Sequence, residues 1–264
     1  MNKIKKNGPC YYCGGVSVSI EHAPPQQMFK DFSFTPITVP ACKLHNTDKS
    51  FYDEIIVKAF LKSISLTTPT PKYPSHPDLH KAIGIALPEF KRVKNKVEER
   101  PLTKDLAELA DKPVVHIKPG VNVGAWITQI TAALVYRAVG NFEPSINWEQ
   151  VMCRGLNFIE TGEALSQQEL VNWFEQKETY KVFLGKLNWK PGWYEPPYGY
   201  PVMLYRFDFA YTYKSKNLLI QHTFYNSYVF VVQIKINSQI KEAIKNHIRS
   251  LRPLKLRPSN DTAN

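Results

Sequence analysis

Two pairs of metal-binding side chains stand near the start of the chain, Cys10-Tyr-Tyr-Cys13 and Cys42-Lys-Leu-His45. A two-residue gap lets both side chains of one turn reach the same tetrahedral Zn²⁺, and two such turns complete four-coordination. Gly14-Gly15 directly after the first pair suits a tight knuckle, where positive φ is often needed. Buried cysteines with an unrelated histidine are the competing explanation, and two pairs with matching gaps in one short segment weigh against it. So short a segment has little core of its own, so it would need the metal to fold. Between the pairs lies Glu21-His22-Ala23-Pro24-Pro25, and Asn46 follows the last candidate ligand. Glu and Asn supply hard oxygens of the kind that hold Mg²⁺. A histidine that titrates near neutrality suits proton abstraction from water. Metal-assisted hydrolysis can use both.

Taken together as C-x-x-C, E-H-x-P-P and V-P-A-C-x-x-H-N, residues 10–60 resemble the HNH endonucleases, particularly the bacterial branch with an E-H-x-P-P start. The motif is carried here by Cys10, Cys13, Glu21, His22, Pro24, Pro25, Val39-Pro40-Ala41-Cys42 and His45-Asn46. The resemblance implies a ββα-metal module of two short strands and a helix. It makes His22 the general base, Glu21 a ligand of a catalytic Mg²⁺ or Mn²⁺, and Asn46 a second ligand in the slot often held by the family's final histidine. The ion would stabilise the phosphorane-like transition state and the leaving 3′-oxygen.

The chain departs from the family pattern in three places. Position 45 is His where the family usually has Cys, an exchange zinc tolerates; His45 could instead be the last catalytic histidine, leaving zinc one ligand short. The family's middle asparagine is absent from Pro36-Ile37-Thr38-Val39. Asp48, Lys49, Asp53 and Glu54 open the following helix. Lys49, like Lys43, is a candidate phosphate contact and either carboxylate could assist the metal, but a solvated helical face is the favoured reading for Lys49 and the carboxylates.

The elements that must position these residues can be read from periodicity. Residues 47–61 carry apolar side chains at helical spacing, with Thr47 or Asp48 able to cap the start. Residues 64–90, rich in Pro, Ser and Thr, read as an irregular arm, and 91–100 as a solvated mixed-charge run. A short helix is expected at Lys104–Ala110, a strand at Val114–Lys118 and a helix over 125–139. A capping box at Ser166–Glu169 should open another helix. Four β-type runs follow, at Tyr180–Leu187, Val202–Tyr211, Asn217–Phe224 and Tyr228–Ile236. Turn-like residues separate the last three, which predicts an antiparallel meander. A basic helix and tail over 235–258 closes the chain. The expected fold class is α+β: an HNH module over 1–62, a linker over 63–100, and a larger α+β domain over 101–264.

The chain has 264 residues, 43% of them hydrophobic, enough for a real core. Its net charge of +11 suits a polyanionic partner. The most apolar stretch, Ala125–Gly140, is too short to span a bilayer and carries Gln129 and Arg137, so it reads as a buried helix. No apolar segment follows the basic start, so a cytoplasmic location is expected, with reduced thiols and Cys153 an ordinary buried one. The aromatics Tyr205, Phe207, Phe209, Tyr211, Tyr213 and those from Phe224 to Phe230 could form a base-stacking platform or simply sheet core. His76, His80, His116, His222 and His247 show no ligand spacing. The expected function is metal-dependent endonuclease action on nucleic acid, DNA in the first place, with a homo-oligomer or an activating partner as further possibilities. By analogy alone, an HNH module fused to an unfamiliar domain resembles bacterial anti-phage effectors. A zinc-knuckle module that binds nucleic acid or protein without cutting is the alternative, and a toxin or homing-type nuclease a third.

Overall fold

In the computed structural model of the chain, the described residues are 8–29, 37–67, 97–99, 115–117, 122–155, 176, 179–191, 205–212, 217–225 and 228–250. They mix helices with antiparallel sheets, an α+β arrangement. β1 (Ser19–Ala23) and β2 (Ile37–Ala41) form an antiparallel pair with Glu21 opposite Val39 and His22 opposite Thr38. α1 (Ser50–Thr67) follows. It starts later than the apolar spacing suggests because 46–49 form a turn, in which the Lys49 and Ser50 N–H groups donate to the Asn46 carbonyl. From Ile55 to Leu61 every α1 side chain is buried, as in a helix enclosed by protein rather than lying on its surface.

The expected strand near Val114 is β4 (Val115–Ile117), paired antiparallel with β3 (Val97–Glu99). Part of the 91–100 charge run is therefore strand. α2 (Val123–Val139) covers the expected 125–139 helix. The Asn122 side chain caps it by accepting from the Ala125 N–H, and Gly140 ends it at φ 86, in the left-handed region. Nearly every side chain from Trp126 to Val135 is buried. α2 packs against β1, β2 and α1, and also against the elements of the large sheet.

That sheet contains β5 (Met152–Gly155), β6 (Lys190–Pro191), β7 (Tyr205–Thr212), β8 (Asn217–Phe224) and β9 (Tyr228–Lys235), in the order β5-β9-β8-β7-β6. All neighbours are antiparallel. The expected meander is β7-β8-β9; β5 and β6 extend it at either edge. The run at Tyr180–Leu187 is not a strand: residues 179–185 are helical. Tyr180, Leu184 and Leu187 recur at helical spacing, and with Trp189 they pack on Leu219 and Val231. α3 (Ser238–Ser250) is the expected basic helix, buried only at Ile240 and Ile244 and packed on α2. The Lys104–Ala110 helix, the capping-box helix, most of the 64–90 arm, Tyr213, His76, His80 and the tail beyond 250 lie outside the described residues.

One buried cluster runs from Cys10 and Tyr11 through Val39, Ala41, α1 and α2 into the large sheet. Its aromatic centre is Phe60, whose ring lies within 6.1 Å, centroid to centroid, of Trp126, Phe224, Tyr228 and Phe230. Tyr205, Phe207, Phe209, Phe224 and Phe230 are all but fully buried. They are sheet core, not a stacking platform.

Candidate functional site

The first turn is built by a tight backbone. Cys10 N–H donates to the Gly15 carbonyl and Gly14 N–H to the Cys10 carbonyl, with Gly14 at φ 73. A Cβ on Gly14 would lie 2.6 Å from the Phe142 ring, so glycine is needed there for space as well as for conformation. Tyr11 N–H donates to the Pro40 carbonyl, which sets this turn against the end of β2, where the second turn begins. The Sγ atoms of Cys10, Cys13 and Cys42 and a ring nitrogen of His45 lie within 4.8 Å of one another. Cys13 and Cys42 sulfurs are 3.9 Å apart, and His45 Nδ1 is 3.7 Å from Cys10 Sγ and 3.2 Å from Cys42 Sγ. The edges of a tetrahedral zinc site with Zn–S near 2.3 Å are about 3.5–3.8 Å. The cluster is compatible with zinc, and His45 belongs to it. The Tyr12 ring contacts the His45 ring at 4.6 Å and Trp148 at 6.2 Å, so the second half of the chain reaches the cluster through Tyr12.

Next to it, the seam between β1 and the start of α1 holds the remaining candidates. Asn46 Nδ2 donates to Ser19 Oγ at 2.8 Å and to the Ile20 carbonyl at 3.0 Å. Its Oδ1 accepts no hydrogen bond from the described residues. Three residues further on, Lys49 Nζ donates to Glu21 Oε1 at 2.7 Å and to both oxygens of Asp53, at 2.9 and 3.1 Å. The Trp126 indole N–H donates to Asp53 Oδ1 at 2.6 Å. Glu21, Lys49 and Asp53 are each only 5% exposed. Lys49 and Asp53 are thus neither a solvated helical face nor, for Lys49, an open phosphate contact: α2 covers them, and the lysine is used internally. Lys43, by contrast, is exposed and sits 3.6 Å from Asp48.

Burial raises the Glu21 carboxyl; Lys49 lowers it, Asp53 raises it, and the balance falls at about 7. Burial also works against the Lys49 charge, but Asp53 and Glu21 outweigh it and hold the ammonium above its ordinary value. Tyr11 is held protonated by burial, with the charges of Glu21, Cys10 and Asp53 adding to the effect. His22 follows Glu21 on β1 and so projects to the other side of the strand. It is half-buried, which lowers its pKa and favours the neutral imidazole.

Cys10, Cys13, Cys42 and His45 meet at one point, and Glu21 and Asn46 lie along one seam. The buried roles of Asp53 and Trp126 have no counterpart in the sequence pattern. The Lys49–Asp53 spacing of four signalled an ion pair on one helix face, but nothing local points to Trp126. Cys153 is half-buried on β5, and His222 is a core residue between the Tyr205 and Thr131 hydroxyls, both at 2.9 Å. Among the described residues, no helix is long and apolar enough to cross a membrane. No family model, curated protein or solved structure matches the chain.

Proposed function

We propose that the chain is a metal-dependent endonuclease of the HNH type that hydrolyses phosphodiester bonds in nucleic acid, DNA in the first place. The observation that carries this reading is the seam between β1 and α1. There Asn46 is docked by Nδ2 with Oδ1 left over, and Glu21 is held by Oε1 with Oε2 making no hydrogen bond to the described residues. Two hard oxygens beside a Cys₃His cluster fit Mg²⁺ or Mn²⁺ better than a second zinc. Glu21 and Asn46 would hold the ion, which when bound supplies charge stabilisation for the transition state and the leaving oxygen. His22, neutral near pH 7 because burial lowers its pKa, accepts the proton of the attacking water at a ring nitrogen. The net charge of +11 assists binding to the polyanion.

A second reading, a zinc-knuckle module that binds without cutting, draws on two features. The Glu21–Lys49 ion pair already gives the carboxylate a cation, and His22 lies on the opposite side of β1 from Glu21. Plasmid nicking by the zinc-loaded protein in Mg²⁺ or Mn²⁺ separates the two. Metal-dependent cutting that falls by about 10²–10⁴-fold in His22→Ala supports the nuclease. Equal cutting by His22→Ala refutes the assigned base, and binding without cutting in either metal favours the second reading.

A further inference from the structure

The buried charges at the seam do not balance. Among the described residues two acidic side chains, Glu21 and Asp53, face one ammonium, and all three side chains are 5–7% exposed. A surplus buried charge is costly unless a proton or a second cation compensates it. Asp53 is not the group left short, since it receives two hydrogen bonds from Lys49 and one from Trp126. The shortfall lies at Glu21, which among the described residues receives only the Lys49 contact to Oε1.

We propose that Trp126 and Asp53 are positioning residues for the divalent-metal site: the α2 indole fixes Asp53, Asp53 orients Lys49, and Lys49 grips Glu21 by Oε1 so that Oε2 is presented to the ion. This inference rests on the nuclease reading. It assigns part of the site to a helix outside the residues that carry the HNH resemblance. The chain of contacts has a fixed direction because each donor has one sensible acceptor. The indole has a single N–H, and that N–H goes to Asp53 Oδ1. The ammonium has three donors, and the three contacts to Asp53 and Glu21 account for them. Groups that orient a metal ligand without touching the metal commonly matter nearly as much as the ligand itself.

The test uses the full, zinc-loaded chain and Mn²⁺ as the probe, with free Mn²⁺ measured by electron paramagnetic resonance in the absence of nucleic acid. Trp126→Phe keeps the ring that packs on Phe60 and Phe224 but removes the N–H. The expected result is Mn²⁺ binding weakened by about 10-fold, with zinc content unchanged. In cleavage assays the metal concentration for half-maximal rate should rise, while the rate at saturating metal stays within about twofold of the parent. Asp53→Asn serves as a second variant and should weaken binding in the same direction. Binding that Glu21→Gln abolishes but both variants leave untouched overturns the positioning role alone. No Mn²⁺ binding by the parent overturns this role and the metal-dependent reading together.

Discussion

Phe60 of α1 lies nearly parallel to Tyr228, the first residue of β9, with ring centroids 4.4 Å apart and planes inclined by 22°. The helix that begins at the candidate metal seam is therefore seated on the large sheet by the same ring that touches Trp126, the residue that fixes Asp53. Site and sheet share one support.

Truncating that ring should be felt throughout the molecule. Phe60→Ala is expected to lower stability by about 3–5 kcal/mol, the range for deleting a buried aromatic. Because the buried cluster is continuous from Cys10 to the sheet, far-UV circular dichroism and Trp fluorescence should report one denaturant transition shifted together. Two separated transitions in the parent would contradict the shared core.

Removing zinc should loosen both the knuckle and the site beside it. The protein is expected to carry one zinc per chain, detectable with a chromogenic chelator after thiol modification. Cys42→Ser should lose it, with a fall in Tm and protease sensitivity near the hairpin. Gly14→Ala should keep zinc but cost about 1–3 kcal/mol, since φ 73 and the Phe142 ring both oppose a side chain there. Retention of full zinc by Cys42→Ser would remove that residue from the ligand set.

Glu21 makes a prediction about pH. Its carboxyl titrates at about 7 in the folded chain against 4.5 ordinarily. Between those values the folded state keeps a proton that the unfolded chain has released, so stability falls as pH rises through the window. The contribution is complete below pH 4.5 and lost above 7. Urea midpoints of zinc-loaded protein without Mg²⁺ should decline across this range more steeply in the parent than in Glu21→Gln. Parallel curves would show that Glu21 is not the proton holder.

His222 acts in the opposite sense. Full burial lowers it from 6.5 to about 3, so it is neutral in the folded protein while the unfolded chain protonates. Its contribution is present above pH 6.5 and lost as pH falls toward 3. The His222 ring carbons, followed by NMR, should show no titration between pH 7 and the onset of acid unfolding. A midpoint near 6 would mean that water reaches the Tyr205–His222–Thr131 line.

What the sequence made legible was local. The two C-x-x-C/H spacings gave the metal cluster because four ligands in two turns can converge without knowledge of the rest of the fold. The apolar run at 125–139 gave α2 to within two residues at its start, since a buried helix needs little beyond its own composition. At residues 180–187 aromatic and β-branched types suggest a strand, while the spacing of Tyr180, Leu184 and Leu187 is helical and packing follows the spacing. The burial of Lys49 and Asp53 could not be read at all. Their partner Trp126 is 73 residues away along the chain, and only the packing of α2 over α1 turns an ordinary surface-style ion pair into part of the site.

The way Asn46 is held makes its nearest chemical relative a poor substitute. Aspartate has the same outline, but it would set a carboxylate oxygen against the Ile20 carbonyl, where Nδ2 now donates. The mildest replacement by shape is thus a repulsive one by charge. Slow loss of ammonia from the Asn46 amide would make that exchange with no change in the gene, so a stored sample would lose the docked conformation of Asn46 one molecule at a time.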